Sequence, residues 1–219
     1  MSSTLIGGEF INGSLDIISQ SLSIPVLIIL IIIFVISIVS LGGLISEYTS
    51  RKNTSVYKIK ELIYDINNVN SIEELPNIIN NYKIPKSNQK VLLEVVNSHS
   101  LTPKSREALA RKLVDNQEEK IDKKLEKTDI ITRIGPTLGL MGTLIPLGPG
   151  LAALGSGDIN TLASSLTIAF NTTVVGIGAG AISYFIGKIR RNWYSKLISD
   201  LDVLTDTILD FIEECDRNG

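Results

Sequence analysis

Three long windows without charge constrain this chain more than any other feature. The first, IPVLIILIIIFVISIVSLGGLI at Ile24–Ile45, would extend about 33 Å as a helix. No charged residue occurs between Arg133 and Asp158, or between Asp158 and Lys188. Each window is long enough to cross the hydrocarbon core of a bilayer, which is about 30 Å thick. Because a sheet edge cannot be satisfied in lipid, the windows predict three membrane-spanning helices rather than strands.

The distribution of Lys and Arg predicts the orientation of these helices. Basic residues follow the first window, precede the second and follow the third, whereas residues 1–50 contain none. Since basic flanks remain cytoplasmic, the N-terminus and the turn at Asp158 are expected outside and the C-terminus inside. We therefore expect a multi-pass protein of the plasma (inner) membrane.

The expected fold is an all-α membrane protein, with three transmembrane helices and long helices that extend into a helical cytoplasmic domain. From Pro103 no further Gly or Pro occurs before Gly135, which predicts one helix from the cytoplasmic part into the second span. The predicted segments are an extracytoplasmic N-terminus (1–22), transmembrane helix 1 (23–45), the helical cytoplasmic domain (46–130), transmembrane helix 2 (131–155), an outer turn (156–159), transmembrane helix 3 (160–187) and a cytoplasmic amphipathic C-terminal helix (188–219).

Two apolar patterns outside the windows predict packed helical faces. A narrow stripe lies on the charged stretch that precedes the second span, and it suits a helix packed along a neighbour. A heptad pattern follows the third span and predicts an amphipathic helix; packing within the chain and packing between copies both fit it. The stripe is Ala110, Val114, Ile121 and Leu125, and the heptad positions are Tyr194, Leu197, Leu201, Leu204, Ile208 and Phe211.

Small residues are concentrated in the second and third windows. The segment GPTLGLMGTLIPLGPG, residues 135–150, combines glycines and prolines with apolar residues. In lipid, helices associate by close packing of small residues, so these two spans are expected to approach other helices closely. The first span is bulky and branched throughout, which is typical of a helix that faces lipid. The predicted packing glycines are Gly135, Gly139, Gly142, Gly176 and Gly180.

Polar groups in the same two windows are the candidate functional residues. Proline has no N–H, so it leaves a backbone carbonyl of its helix without a hydrogen bond. Such a carbonyl is tolerated in lipid only beside protein or water. Hydroxyl and amide side chains in these windows either form a hydrogen bond to a helix or line a water-filled pathway. The candidate pathway residues are Thr143, Thr173, Thr172, Asn171, Pro136 and Pro146. No acidic or basic residue lies within a predicted span, so another subunit would have to supply the charge for any ion that crosses.

Other function classes receive no support from the composition. The net charge is −2, and the chain has one histidine, His99, and one cysteine, Cys215. Neither a disulfide framework nor a metal site is expected from single residues of these types. The glycine-rich run lacks the Lys-Ser/Thr ending of a phosphate-binding loop, and no basic motif indicates nucleic acid. The expectation is a non-enzyme without cofactor, metal or nucleic-acid partner.

Two motifs carry a family resemblance. RIGPTLGLMGTL at residues 133–144 and AFNTTVVGIGAGAISYFIGKIRRNW at residues 169–193 resemble the MotA/TolQ/ExbB proton channel family. The three spans, with the large insert after the first, resemble the ExbB and TolQ members. Pro136 and Gly139 match the family's start of the second span. The resemblance implies that Thr143 and Thr173 are pore-facing, whereas Ile168 stands where ExbB and TolQ carry a Glu.

The resemblance also implies an assembly. It implies a homopentamer whose second and third spans surround a dimer of a single-span partner of the ExbD, TolR or MotB type. A membrane Asp of that partner would bind the transported H+ or Na+, and ion flow would drive mechanical work. The expected function is therefore a channel subunit of an ion-motive-force-driven motor. A non-conducting membrane scaffold is the alternative, and a transporter with a substrate site at the proline-broken span is a third possibility, against which the lack of an internal repeat argues.

Overall fold

A computed structural model describes residues 3–51, 56–69 and 71–218, and no strand occurs among them. The all-α prediction is therefore confirmed for this part of the chain. Short 3₁₀ turns at Ile72–Glu74 and Ser98–Ser100 join some of the helices. The helices are α1 (Ser3–Arg51), α2 (Val56–Asn67), α3 (Leu75–Asn81), α4 (Lys86–Asn97), α5 (Pro103–Gly155) and α6 (Ile159–Asn218).

Three helices of the described residues are long and apolar enough to cross a membrane, namely α1, α5 and α6. As expected, α5 is continuous from Pro103 through the second window, and α6 is continuous from the third window into the C-terminal heptads. The chain forms two compact units. The first comprises Met1–Ile45 with Lys127–Lys188, and the second comprises Ser46–Glu126 with Ile189–Gly219.

In the first unit, one face of α1 packs against both α5 and α6. Leu30 and Ile33 contact Ile131 of α5 and Ala179 of α6, with Phe34, Leu138 and Val175 at the edge of this cluster. This corrects the expectation that the first span faces lipid throughout. Large branched side chains fit against the small residues of α6, so one stripe of α1 is buried while its other faces are exposed. The stripe is Val26, Leu30, Ile33, Ser37 and Leu44.

A buried hydroxyl contact joins α1 to α6. The Oγ atom of Ser37 lies 3.0 Å from Oγ of Ser183 and 3.3 Å from the carbonyl oxygen of Ala179. Both serines are fully buried. Ser37 could not be recognised from the sequence, because a serine in a uniformly apolar window has no periodic pattern around it to mark its face.

We expect the two hydroxyls to be energetically coupled. In a double-mutant cycle of Ser37→Ala and Ser183→Ala, the coupling should be about 0.6 kcal/mol, as for other hydrogen bonds between membrane helices. Ser21→Ala is the matched control on α1, because the exposed Ser21 hydroxyl donates only to the Ile17 carbonyl. Additive effects of the two variants on stability in detergent would contradict the contact.

The second unit has its own apolar core. It is built from α2, α3 and α4, the first turns of α5 and the last turns of α6. The heptad face of α6 packs into this core, so the face serves packing within the chain. The α5 stripe is also buried: Ala110 and Val114 lie in this core, and Ile121 and Leu125 pack on Tyr194. The most deeply buried core side chains are Leu62, Ile66, Leu75, Ile79, Leu92, Val95, Leu201, Leu204, Ile208 and Ile212.

Ion pairs and side-chain hydrogen bonds stabilise the second unit at its surface. Arg190 pairs with Glu47 at 3.2 Å, and the Tyr194 hydroxyl donates to the same carboxylate at 3.0 Å. The Tyr82 hydroxyl donates to Asp65 at 2.5 Å, and this bond raises the pKa of Tyr82 to about 12. The bond therefore stabilises the fold fully below the ordinary tyrosine pKa, and that stability is lost as the pH rises through about 12.

Candidate functional site

The candidate residues lie on the hairpin of α5 and α6 in the first unit. Only residues 156–158 separate the two helices, and Gly157 there has a φ of 82°, a left-handed conformation that glycine adopts without strain. Asp158 caps the N-terminus of α6, because its carboxylate accepts hydrogen bonds from the amide and the hydroxyl of Thr161. The Thr161 hydroxyl, followed by its amide, lowers the pKa of the Asp158 carboxyl.

The half of the hairpin next to Lys127 and Lys188, which we call the basic half, is held by glycine against glycine. A Cβ placed on Gly176 would lie 2.6 Å from the carbonyl oxygen of Gly135 and 2.7 Å from Cα of Gly139. A Cβ placed on Gly135 would lie 2.9 Å from the Gly176 carbonyl oxygen and 3.1 Å from the Gly180 amide nitrogen. No side chain larger than hydrogen fits between these backbones, so the two GxxxG pairs are in direct contact within one chain.

The half of the hairpin next to the turn at residues 156–158, which we call the turn half, is held by glycine against hydroxyl residues. A Cβ on Gly142 would lie 2.7 Å from Cβ of Thr172, and a Cβ on Gly150 would lie 2.8 Å from Cβ of Ser165. The antiparallel register is thereby fixed along the hairpin. Thr143 and Thr173 are the chain neighbours of Gly142 and Thr172, so they lie at the same depth.

Thr143 and Thr173 also point to the same flank of the hairpin. Leu138 of α5 and Val175 of α6 mark the side that contacts α1. At about 100° per residue, Thr143 is turned about 140° from Leu138, and Thr173 is turned about 160° from Val175. Both threonines are half-buried. They therefore border one groove between α5 and α6, on the flank remote from α1, and we call this the threonine flank.

The prolines differ in their placement. Pro136 is seven residues before Thr143 and shares its face, and its ring packs over Gly180, whose Cβ would lie 2.8 Å from the proline Cδ. Pro146 is half-buried and lies in the part of α5 next to the turn at residues 156–158. The helix continues through Pro136, Pro146 and Pro149.

The two remaining candidates do not border the threonine flank. Thr172 is 5 % exposed and lies in the contact with Gly142. Asn171 is exposed, but it is two residues before Thr173 and is turned about 160° from it. Three consecutive residues cannot share a helix face, so Asn171 and Thr172 lie away from the threonine flank, and the pathway role that the sequence suggested for them stays a prediction.

The threonine hydroxyls have a defined polarity. Thr143 donates to the Leu140 carbonyl at 2.6 Å, and Thr173 donates to the Ala169 carbonyl at 3.1 Å. Since each proton is directed to its own helix, the lone pairs of each oxygen remain free to accept. An acceptor pair of this kind suits a water molecule or a small cation and does not suit an anion.

No cluster of three His, Cys, Asp or Glu side chains that could hold a metal occurs in the residues that were placed. Ile168 is an exposed apolar side chain of α6. The chemistry available along the threonine flank is therefore hydrogen-bond acceptance.

Comparison with known proteins places the chain in a family. A family model described as the MotA/TolQ/ExbB proton channel family matches residues 83–202, more than half of the chain. The matched range runs from the end of α3 through α4, α5 and the hairpin into the C-terminal part of α6. No curated protein matches the chain.

Proposed function

Because this chain belongs to the MotA/TolQ/ExbB proton channel family, we propose that it is the channel subunit of an ion-motive-force-driven motor complex. The family and the three apolar helices make it a multi-pass membrane protein. The observation that carries the proposal is the threonine flank, where Thr143 and Thr173 lie at one depth and face away from α1.

One hairpin can line only one side of a pathway. Further copies of this chain therefore have to line the remaining sides. The face of α1 opposite its buried stripe is apolar and exposed, with Ile31 62 % and Val39 69 % exposed, which suits lipid. The threonine flank is on the other side of the hairpin. We propose that the copies form a ring, a pentamer as in the family, with the α1 helices outside and the threonine flanks around the axis.

The charge for ion transfer comes from a partner in this proposal. No acidic or basic residue occurs in the sequence between Arg133 and Asp158 or between Asp158 and Lys188. A single-span partner of the ExbD, TolR or MotB type would place its membrane Asp among the threonine oxygens. Those oxygens accept hydrogen bonds from a protonated Asp or coordinate a sodium ion beside its ionised form. The ion moved is H+ or Na+, and its passage is coupled to mechanical work or transport.

The proposed location is the plasma (inner) membrane, with the N-terminus outside and the C-terminus cytoplasmic. The basic residues beside the three spans support this orientation. With this orientation the turn at Asp158 faces outward, and the helical second unit lies in the cytoplasm.

The proposal is tested on the complex itself. We expect co-expression with a single-span protein of the ExbD, TolR or MotB type from the same organism, followed by native mass spectrometry, to give five copies with two partner chains. Vesicles containing that complex should pass H+ or Na+ down a gradient, and replacing the partner's membrane Asp with Asn should stop this flux. A stable ring of this chain that binds no partner and passes neither ion would instead identify the non-conducting scaffold.

A further inference from the structure

We propose that the side-chain amide of Asn171 joins neighbouring copies of this chain, by donating a hydrogen bond to the main-chain carbonyl of Ile145 in the next copy. The inference rests on the ring of the proposed function and names a contact that closes it. A donor on α6 and an acceptor on α5, both within the charge-free windows, carry the argument.

The amide of Asn171 is exposed at a depth where only lipid or protein can surround it. Asn171 is 13 residues after Asp158 and 17 residues before Lys188, which is about 20 Å and about 26 Å along the helix. Its side chain is exposed, and its amide forms no hydrogen bond to any of the residues that the structure describes. Because an unpaired amide in hydrocarbon is costly, Asn171 has to be covered by another helix.

The direction of Asn171 limits which helix this can be. Asn171 is turned about 140° from Gly176, which faces α5, and about 160° from Thr173 on the threonine flank. It is turned about 40° from Val175, whose side contacts α1, yet α1 leaves it exposed. A single-span partner at the axis is on the wrong side to reach it. The neighbour on the remaining side of α6 in a ring is another copy.

The matching acceptor lies on α5. Residue 149 is proline, so no amide at this position donates to the carbonyl of Ile145, four residues earlier. Pro149 is exposed. Gly148 is turned about 180° from Gly139, which faces α6, and no atom lies within 4 Å of a Cβ placed on Gly148. The backbone of this turn is therefore open on the side away from α6, where a helix of another copy can approach closely.

The donor and the acceptor lie at the same depth. Gly142 is opposite Thr172, so the antiparallel register places Asn171 level with residues 143–144. A helical side chain leans toward the N-terminus of its helix, which for α6 is the turn at residues 156–158. A helical carbonyl points toward the C-terminus of its helix, which for α5 is the same turn. Asn171 and the carbonyl of Ile145 therefore both extend toward the turn from nearly one level.

A cyclic ring brings these two groups together. All copies in such a ring have the same depth and orientation, so α6 of one copy meets α5 of the next at equal depth. Ile145 is seven residues after Leu138 and shares its side, toward α1, so both groups lie in the outer part of the contact. Helices in membranes cross at about 20°, and we place the contact in the turn half, with the basic halves of neighbouring copies further apart.

The first test measures thermal dissociation of the complete complex, with its single-span partner, by native mass spectrometry. Asn171→Leu should lower the temperature at which the copies separate by several degrees, because every contact in the ring loses its hydrogen bond. Asn160→Leu is the matched control, since it removes an exposed amide of the same helix two residues after Asp158, where water covers it. Equal dissociation temperatures for the two variants contradict the inference.

A double-mutant cycle identifies the acceptor. Pro149→Ala introduces an amide that donates to the Ile145 carbonyl within its own helix, so it should destabilise the wild-type ring but have little further effect in Asn171→Leu. Pro146→Ala is the control, because the carbonyl that it satisfies belongs to the buried Gly142, and its effect should add to that of Asn171→Leu. Additive effects of Pro149→Ala and Asn171→Leu overturn the inference.

Cross-linking tests the contact without relying on stability. In a Cys215→Ser background the chain has no other thiol, so oxidation of the double variant Ile145→Cys, Asn171→Cys should give a ladder of linked copies up to five. Each single cysteine variant should remain unlinked, because the proposed contact pairs two different residues. Absence of the ladder, or a dimer formed by Asn171→Cys alone, also overturns the inference.

These outcomes are separable from those of the proposed function. If the wild-type complex passes H+ or Na+ and no ladder forms, this inference fails and the proposed function stands. If the ladder forms and the wild-type complex passes neither ion, the contact stands and the proposed function fails.

Discussion

Replacement of Gly176 by valine is expected to break the α5–α6 hairpin and to have the largest effect on stability of any change described above. A Cβ at this position would lie 2.6 Å from the Gly135 carbonyl oxygen and 2.7 Å from the Gly139 Cα atom. Both are backbone atoms, so neither can rotate away, and α5 would have to move outward. Overpacking of this kind costs about 1–3 kcal/mol, and a contact against backbone lies at or above the upper end of that range.

Gly178 offers a matched control for this change on the same helix. No atom lies within 4 Å of a Cβ placed on Gly178, so Gly178→Val should keep the wild-type melting temperature and oligomer size in detergent. Gly176→Val should melt several degrees lower, or be recovered as an aggregate. Equal melting temperatures for the two variants would contradict the glycine contact.

Valine at Thr143 or Thr173 should strongly reduce ion flux and coupled work while the assembly remains intact. Threonine and valine have nearly the same shape, and each hydroxyl proton is bound only to a carbonyl of its own helix. The substitution therefore removes little except the acceptor oxygen on the threonine flank. Loss of one hydrogen bond to a charged group costs about 1.5–3 kcal/mol, which lowers the rate on the order of 10- to 100-fold.

Thr167→Val is the control for this pair. The exposed Thr167 hydroxyl donates to the Ala163 carbonyl in the same way, but Thr167 is six residues before Thr173 and is turned about 120° from its face. Its flux should match that of wild type, and all three variants should give the wild-type native mass. Full activity of both Thr143→Val and Thr173→Val would remove the basis of the proposed pathway.

The helices of this fold could be predicted from the sequence because their signals are local. Absence of charge over a bilayer's length predicts a span, and absence of Gly and Pro after Pro103 predicts that α5 continues into one. The small residues of α5 and α6 also repeat with helical spacing, so their face could be identified before its partner was known. The heptads of α6 are similar: periodicity shows that Leu201 and Leu204 are buried, but it does not show what covers them.

The features that were missed depend on register. A window as uniformly apolar as that of α1 has no contrast between faces, so neither its buried stripe nor the Ser37–Ser183 contact could be predicted. Helical spacing alone predicts that Thr172 and Thr173 point in different directions, but the contact that Thr172 makes is known only from its position against Gly142 on the opposite helix.

The short turn between α5 and α6 has a consequence for biogenesis. Because only residues 156–158 connect the helices, α6 cannot leave the translocation machinery far from α5. The short connection keeps the loop-closure entropy of the glycine contact small, so α5 and α6 can pair as soon as both have been made. The contacts of α1 with α5 close a loop that contains all of the chain between them, and a longer loop costs more entropy.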